Sequence, residues 1–226
     1  MIKFDQVTKE FGEVKALDKV SFAVKGGEFV FLIGPSGAGK TTVFRLILRQ
    51  FLSTSGVVEV IGMDLSQLSK KKIPALRRSI GVVFQDLKLL TDRTVFENVA
   101  LALRIIGKKE EQINEETAKI LKLVGLESRA DFFPAQLAGG ELQRVTLARA
   151  AVTNPDLILA DEPTGNLDIG TARQIVDLLK KLNQKGKTVI MATHNFEIVN
   201  SFNERVIELE GGKLVSDKKK GKYQIT

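Results

Sequence analysis

The sequence predicts an α/β fold with a helical lobe inserted into its core. Two observations predict this class. Apolar runs of strand length alternate with helical patterns in residues 1–86 and 151–226, and a glycine-rich segment separates one such run from the helix after it. Residues 87–150, by contrast, hold successive helical patterns with no strand between them. We therefore expect a single domain over residues 1–226, in which the two outer segments form the core and the middle segment forms the lobe.

The first segment predicts an N-terminal antiparallel β part. Met1–Val7 and Leu17–Val24 have the composition of strands, and the polar residues Lys9–Lys15 predict the turn between them. Val57–Ile61, which follows a Ser-Gly pair, predicts a further strand. We expect only one helix among the first 60 or so residues.

The glycine-rich segment matches the phosphate-binding motif G-x-x-x-x-G-K-[ST]. It follows a buried strand predicted at Phe29–Ile33 and precedes a helix predicted at Val43–Leu52, which is the structural context that this motif requires. We expect Lys40 to reach the β- and γ-phosphates of a nucleotide and the Thr41 hydroxyl to bind Mg²⁺. The sequence thus predicts a P-loop (RecA-like) core whose nucleotide-binding residues are Gly34, Pro35, Ser36, Gly37, Ala38, Gly39, Lys40, Thr41 and Thr42.

The later core elements bring acidic residues to the end of a strand. Asp156–Ala160 predicts a strand that ends at Asp161 and Glu162, and ligands bind at strand ends in open α/β sheets. We expect Asp161 to hold Mg²⁺, directly or through water, and Glu162 to polarise an attacking water molecule. An exposed acidic turn is the alternative, which the P-loop upstream disfavours. Further elements are predicted at Ile80–Phe84 before Gln85, at Gly170–Leu182, at Thr188–Thr193 before His194, and in a hairpin of Arg205–Leu209 and Lys213–Ser216.

The charge pattern consists of two basic patches on an otherwise near-neutral chain. The net charge is +7, and residues 66–78 and 211–226 carry the excess. Solvated surface lysines and contact with an anionic membrane surface are the two explanations, and no nucleic acid is expected as a partner. The chain has no cysteine, no apolar run of the roughly 20 residues that span a bilayer, and no signal-peptide core. We expect it to be soluble when expressed alone.

A second anion-binding segment completes a family pattern. Leu137–Glu141 has two glycines at the start of a predicted helix, and helix N-termini bind anions. Together with the P-loop, this segment resembles the signature of the ABC ATPase family. The resemblance covers nearly the whole chain and rests also on Gln85, Asp161, Glu162, Asn166–Asp168 and His194.

The resemblance implies roles for these residues around bound ATP. Phe11 stacks on adenine, Gln85 links Mg²⁺ and the attacking water to the helical lobe, and His194 contacts the γ-phosphate. Each has a structural alternative: Phe11 as a core aromatic, Gln85 as a polar loop residue, and His194 as a residue that only supports the fold. The implied catalytic residues are Lys40, Gln85, Glu162 and His194, and the implied metal ligands are Thr41, Gln85 and Asp161.

The resemblance also implies an ATP-dependent homodimer in which two subunits share each ATP. The signature segment meets the γ-phosphate of the other subunit through Ala138, Gly139, Gly140 and Glu141, and Asp168 lies in a loop that crosses the dimer. The family's usual signature is Leu-Ser-Gly-Gly-Gln, whereas this chain has Leu-Ala-Gly-Gly-Glu. Ala138 lacks the hydroxyl donor, and a hydrogen bond to a charged group contributes about 1.5–3 kcal/mol. We therefore expect a weakened composite site.

Two stretches resemble the cell-division branch of this family. They are Asp92–Asn98 and Glu162–Asp168, of which the second is shared with lipoprotein-releasing and macrolide-exporting relatives. The resemblance implies an FtsX-like transmembrane subunit that docks near the Gln85 loop and the lobe, at the cytoplasmic face of the membrane, and control of septal cell-wall hydrolysis. An exporter ATPase is the alternative. The chain length disfavours a soluble ATPase acting on DNA or ribosomes, and the lack of an Asn-Lys-x-Asp motif disfavours a GTPase.

Overall fold

Strands and helices alternate at both ends of the chain, and helices alone occupy its middle. The computed structural model describes residues 1–219. In chain order the elements are β1 (Ile2–Phe11), β2 (Val14–Val24), β3 (Phe29–Ile33), α1 (Lys40–Ile47), β4 (Ser55–Val60), β5 (Met63–Asp64), α2 (Ile73–Arg78), β6 (Ile80–Val83), α3 (Val95–Ile105), α4 (Glu110–Val124), α5 (Gly139–Ala151), β7 (Leu157–Asp161), α6 (Ile169–Gln184), β8 (Thr188–Thr193), α7 (Phe196–Ser201), β9 (Arg205–Glu210) and β10 (Lys213–Lys218).

A six-stranded sheet forms the centre of the fold. Its order is β10-β9-β3-β8-β7-β6, with all neighbours parallel except the edge pair β10-β9. Every residue of β3 is buried. Phe31 belongs to one hydrophobic cluster and Val30 and Leu32 to another, so both faces of β3 are covered. A strand buried on both faces needs a continuous apolar run, which the sequence supplies here. The loop after β3 is thereby fixed in the middle of the sheet.

A four-stranded antiparallel sheet covers one side of this centre. Its order is β2-β1-β4-β5. Apolar side chains of this sheet, among them Phe4 and Val20, share a hydrophobic cluster with Val30 of β3 and Val43 of α1. This packing holds the β1-β2 hairpin beside the loop that follows β3.

Three helices, α3, α4 and α5, form the lobe. They pack on one another and bury apolar side chains such as Val99, Leu121 and Val145 in a single cluster. A capping box begins α3: Thr94 Oγ1 accepts from the backbone N–H of Glu97 (3.2 Å), and Glu97 Oε2 accepts from the backbone N–H of Thr94 (2.9 Å). Among the helices of residues 1–219, none has both the length and the apolar character needed to cross a membrane.

The fold class predicted from the sequence is confirmed: an antiparallel β part and a P-loop α/β core, with helices inserted between β6 and β7. The polar turn predicted at Lys9–Lys15 is wrong in extent, because β1 and β2 pair as far as Phe11 and Val14. The backbone groups of the hairpin bond one another across the two strands, while the polar side chains lie on the exposed face of the sheet. The polar character of residues 9–15 therefore did not show where the strands end.

Other differences concern short or irregular elements. The helix after the P-loop begins at Lys40 and ends at Ile47, not at Leu52. The sequence does not predict β5, α2 or α7, because these elements have two to six residues, too few to show a hydrophobic period. The basic patch at residues 211–226 lies outside the described residues from residue 220 on.

Asn98 ties α3 to the segment before it. Its fully buried side chain accepts from the backbone N–H of Leu90 (2.8 Å) and donates to the carbonyls of Leu90 (3.0 Å), Arg93 (3.1 Å) and Thr94 (2.9 Å). This one amide thereby joins the first turn of α3 to the backbone of residues 90–94, adding to the backbone bonds that Leu90 O and Thr94 O already accept.

We predict that Asn98→Ala lowers the free energy of unfolding by about 2–3 kcal/mol, because it removes a fully buried amide together with its four hydrogen bonds to the backbone before α3. Denaturant unfolding measures this change. Asn114→Ala, at an exposed position of α4, is the control and should change stability by no more than about 0.5 kcal/mol. Equal effects of the two substitutions would contradict the role given to Asn98.

Candidate active site

The path of the P-loop is fixed at two positions where its backbone passes very close to neighbouring elements. Gly34 and Gly39 have φ of 145° and 106°. A Cβ at Gly34 would lie 2.1 Å from Leu209 O, and a Cβ at Gly39 would lie 2.7 Å from Leu17 Cδ2 and 2.8 Å from Ala16 O. Only glycine fits at either position, because a side chain would meet backbone or core atoms. Strand β9 and the β1-β2 hairpin therefore shape the loop from both sides.

Lys40 is a nearly buried cation at the start of α1. Its side chain is held under the loop, and the residue is 8% exposed. Its Nζ donates to the carbonyls of Gly34 (2.7 Å) and Pro35 (3.1 Å) and lies 3.7 Å from Glu162 Oε1. The ammonium therefore points into the space enclosed by the loop, where phosphate oxygens would be stronger acceptors than neutral carbonyls.

Asp161 ends β7 beside the first turn of α1. Its Oδ2 accepts a hydrogen bond from the Thr41 hydroxyl at 3.3 Å. Burial raises the pKa of Asp161 above its usual value, and the adjacent Glu162 carboxylate adds to the rise, whereas the bond from Thr41 opposes it. The carboxylate thus lies in a place that disfavours its charge unless a cation is supplied.

Glu162 is held in a left-handed backbone conformation with φ of 46°, and its backbone N–H donates to Ala192 O at 2.9 Å. The side chain lies between two cationic or potentially cationic groups. His194 Nδ1 is 3.0 Å from Glu162 Oε1, the oxygen that Lys40 also approaches, and the backbone N–H of His194 is 3.4 Å from Oε2. Strands β7 and β8 are parallel neighbours, so their carboxyl ends bring these two residues together.

These groups line one cavity of about 540 Å³. The structure brings together the P-loop residues from Pro35 to Thr42 with Gln85, Asp161, Glu162 and His194, all of which the sequence singled out. It adds Phe196, an exposed aromatic at the start of α7, and Ala16 of the β1-β2 hairpin. An aromatic two residues after His194 was a usable signal for Phe196, but nothing local marked Ala16, which only tertiary packing places here.

The signature segment does not line this cavity. Ala138 is the N-cap of α5, and its backbone N–H donates to Glu141 Oε2 at 2.9 Å, while Arg129 Nε donates to Oε1 at 3.1 Å. The bond from Ala138 is the main cause that lowers the pKa of Glu141, and Arg129 adds to it. A glutamate in the place of the usual glutamine therefore caps its own helix and pairs with a cation.

Asp168 adjoins the signature segment rather than the cavity. It is the N-cap of α6, where its Oδ1 accepts from the backbone N–H of Thr171 at 3.0 Å. Hydrogen bonding with the Thr171 side chain, and then with the Thr171 backbone, lowers the pKa of Asp168. A Cβ at Gly140 would lie 2.5 Å from Thr171 Cγ2, and one at Gly139 would lie 3.8 Å from Leu167 Cδ2. The signature and the Asp168 loop thus form one surface, separate from the P-loop cavity.

Phe11 also lies outside the cavity lining. It ends β1, is 40% exposed, and meets the ring of Phe51 edge-on with centroids 5.1 Å apart. Lys9 Nζ lies 4.8 Å from the Phe11 centroid. The ring is therefore neither fully in the core nor free of partners, and its contact with adenine stays a prediction.

The oxygen donors near the P-loop fit Mg²⁺. Thr41, Gln85 and Asp161 line the same cavity and offer a hydroxyl, an amide carbonyl and a carboxylate. Mg²⁺ is usually held by one or two carboxylates together with substrate phosphates. In the part of the chain that the structure describes, no cluster of three or more His, Cys, Asp or Glu residues could hold a metal.

The fold and the cavity define a P-loop protein that binds nucleotide at the carboxyl edge of a parallel sheet, and comparison with known proteins gives its family. Residues 17–165 match the ABC transporter family. The cell division ATP-binding protein FtsE of Bacillus subtilis is 48% identical over 224 residues, which are 99% of this chain and 98% of the relative. FtsE of Mycobacterium tuberculosis is 49% identical over 225 residues, with the same shares.

Relatives with other names are also similar. The methionine import ATP-binding protein MetN of Vibrio vulnificus is 43% identical over 220 residues, which are 95% of this chain and 64% of MetN. A solved structure, the dimeric post-hydrolysis state of the ATP-binding cassette MJ0796 bound to ADP and Pi, has a TM-score of 0.87 and 38% identity over 97% of this chain and 98% of that one. The chain therefore belongs to the ABC transporter family, as one of its ATPases.

We predict that Asp161→Asn raises the melting temperature of the nucleotide-free protein by about 2–4 °C, the effect of about 1 kcal/mol in a domain of this size. The pKa of Asp161 is higher in the folded protein than in the unfolded chain. The protonated carboxyl therefore stabilises the fold fully at pH values below the unfolded pKa, and this stabilisation is lost as the pH rises through the folded pKa. At pH 7 the ionised carboxylate thus costs stability, and a neutral amide removes that cost.

Thermal unfolding without nucleotide measures this change. Asp177→Asn, at an exposed position of α6, is the control and should leave the melting temperature nearly unchanged. A melting temperature of Asp161→Asn at or below that of the unaltered protein would show that the carboxylate is not destabilised.

Proposed function

We propose that this chain is the ATP-hydrolysing subunit of a membrane-associated cell-division complex, and that it transmits ATP-driven motion to a transmembrane partner. The observation that carries this proposal is the Glu162 carboxylate, held between Lys40 and His194 at the mouth of the P-loop cavity. The similarity to FtsE, which extends along both proteins almost completely, supports the biological role.

The residues of the cavity can share the chemistry of hydrolysis. Lys40 exchanges its two carbonyl acceptors for β- and γ-phosphate oxygens, and Glu162 takes the proton of the water that attacks the γ-phosphorus. His194 holds the Glu162 carboxylate toward that water. Thr41, Gln85 and Asp161 would hold Mg²⁺, which supplies positive charge to the phosphates when bound. The products are ADP and inorganic phosphate.

A second copy of the chain completes the site. Ala138, Gly139, Gly140 and Asp168 lie outside the cavity of their own chain, so they are available to the nucleotide of a partner. MJ0796, the structural neighbour, is dimeric. We propose a head-to-tail dimer that closes on ATP, with Phe11 against adenine. Residues 87–150 then move as the lobe against the core formed by residues 1–86 and 151–226.

A groove beside the Gln85 loop suits the transmembrane partner. It has a volume of about 480 Å³ and lies between the six-stranded sheet, α2 and the lobe. Ile105 is 66% exposed beside it, and Phe84 also lines it, whereas Arg77, Arg78 and Lys88 supply charge. An exposed apolar groove with a charged rim is typical of an interaction site. We propose that an FtsX-like subunit docks here and holds the chain at the cytoplasmic face of the membrane.

The competing function is that of an exporter ATPase, since Glu162–Asp168 also resembles lipoprotein-releasing and macrolide-exporting relatives. Recovery of the chain from detergent-solubilised native membranes separates the two. Mass spectrometry of the transmembrane protein that co-purifies should find a cell-division subunit. An exporter permease in its place would overturn the cell-division role and leave the ATPase intact.

We predict that Glu162→Gln lowers ATP turnover by at least about 100-fold, because the attacking water loses its base. Mg-ATP should still bind, and the closed dimer should accumulate because ATP is no longer consumed. Size-exclusion chromatography with light scattering measures the dimer, and phosphate release measures turnover. Normal turnover, or a variant that stays monomeric at saturating ATP, would remove Glu162 from this role.

We predict that Ala138→Ser strengthens ATP-dependent dimerisation in the Glu162→Gln background. A serine hydroxyl adds one charge-assisted hydrogen bond that forms only on closure, and a net gain of about 1.4 kcal/mol lowers the protein concentration needed by about tenfold. Gly139→Val is the control. Its Cβ meets only Leu167 at 3.8 Å in the isolated chain, so folding should be unaffected while closure on phosphate is blocked.

A dimerisation curve that Ala138→Ser leaves unchanged, while Gly139→Val abolishes it, would mean that position 138 does not contact phosphate. Insensitivity to both substitutions would mean that the signature is not at the dimer interface.

A further inference from the structure

The segment from Gln85 to Leu90 joins the nucleotide cavity to the lobe, and two of its residues have an unusual backbone. Leu87 and Lys88 have φ of 56° and 50°. This left-handed region is unfavourable for residues with a side chain, and two successive occurrences are rarer still. Neither residue adopts this conformation by its own preference. The N–H of Lys88 donates to the carbonyl of Asp86 within the segment (2.5 Å), and contacts from outside the segment add to this restraint.

Arg149 of α5 makes the contacts that hold it. Its Nη2 donates to the carbonyl of Leu87 at 2.7 Å, and its Nη1 donates to the carbonyl of Lys88 at 2.6 Å. Within residues 1–219 no carboxylate pairs with this guanidinium, and burial lowers its pKa. Burying a cation costs free energy, and two hydrogen bonds to neutral carbonyls offset this cost only in part. The contact is therefore not explained by its contribution to stability alone. Its geometry, a planar fork on two successive carbonyls, instead specifies the shape of the loop.

A second anchor limits the loop on its far side. Asn98 of α3 exchanges hydrogen bonds with the backbone of Leu90. Gln85 is bonded by neither Arg149 nor Asn98, and it lines the nucleotide cavity. The loop is therefore fastened to two helices of the lobe, while its first residue stays with the nucleotide site.

Helix α5 connects these anchors to the signature. It begins at Gly139, ten residues before Arg149, and a helix of that length is a rod of about 15 Å. Movement of Leu87 and Lys88 therefore reaches the first turn of α5 through Arg149, with no flexible segment between.

We propose that Arg149 is a positioning residue that makes the Gln85 loop and α5 move as one body, so that a nucleotide contact at Gln85 sets the position of the signature segment. This inference rests on the proposed function. It assigns to Arg149 the coupling between the two halves of the composite site, although the residue touches neither nucleotide nor metal.

The test uses Arg149→Lys in the Glu162→Gln background of the full chain. Lysine keeps the positive charge but cannot bond two carbonyls through one planar group. ATP affinity of the monomer, measured by titration at low protein concentration, should be unchanged. The protein concentration needed for ATP-dependent dimerisation should rise about tenfold, which corresponds to the loss of about 1.4 kcal/mol of coupling between the nucleotide and the signature segment.

Arg144→Lys is the matched control on the same helix. Arg144 also spends two donors, on Val124 O (3.2 Å) and Gln174 Oε1 (2.6 Å), but none on the Gln85 loop. It should lower dimerisation far less than Arg149→Lys. Equal losses would mean that any weakening of α5 has this effect, which would overturn the inference.

Hydrogen exchange and a rescue variant separate positioning from simple stability. In Arg149→Lys, amides of residues 85–90 should exchange faster than in the parent, and ATP should no longer protect the first turn of α5. Adding Lys88→Gly should recover part of the dimerisation, because glycine adopts the left-handed conformation without the clamp. Arg149→Lys that dimerises like its parent with unchanged exchange at residues 85–90 would overturn the inference. A Glu162→Gln parent that fails to dimerise would instead overturn the proposed function.

Discussion

A buried ammonium whose acceptors are backbone carbonyls is the interaction on which the site depends. Lys40 is turned under the P-loop, where its ammonium bonds the carbonyls of Gly34 and Pro35 and lies 3.7 Å from the Glu162 carboxylate. The close approaches at Gly34 and Gly39 fix the loop in this shape before any nucleotide arrives. Phosphate oxygens are charged acceptors and replace neutral carbonyls favourably. The fold thus holds the Lys40 ammonium in place for the phosphate oxygens of ATP.

The parallel sheet converts this binding site into a reactive one. Because β3, β8 and β7 are neighbours in register, the P-loop, His194 and the two acidic residues all emerge at one edge. Asp161 and Glu162 are adjacent in the chain, yet their side chains differ in role. The first lies against Thr41 toward the phosphates, and the second lies between Lys40 and His194, where a water could reach it. Geometry at one strand end thereby gives the two carboxylates different surroundings, as the proposed division between metal binding and base catalysis requires.

The sequence predicted those parts of the site whose signals are local. The P-loop, the strand ending at Asp161 and the signature at Leu137–Glu141 are contiguous patterns, and each lies where a glycine turn or an apolar run requires it. What depended on tertiary contact was not predictable. The polarity of the β1-β2 hairpin concealed how far its strands pair, and Arg149 carries no local mark of the two carbonyls that it bonds. The expectation that the signature acts on the ATP of another subunit came from the family resemblance and not from a local pattern.

The central claim is that Lys40 and the P-loop bind the phosphates of ATP, and the affinity of Lys40→Ala for ATP tests it most directly. Isothermal titration of the purified chain, with Lys109→Ala as a control that removes an exposed lysine at the start of α4, gives the comparison. We expect Lys40→Ala to weaken ATP binding by more than about tenfold, since it removes a cation from the β- and γ-phosphates, and Lys109→Ala to leave the affinity unchanged. Equal affinities of the two variants for ATP would contradict the account.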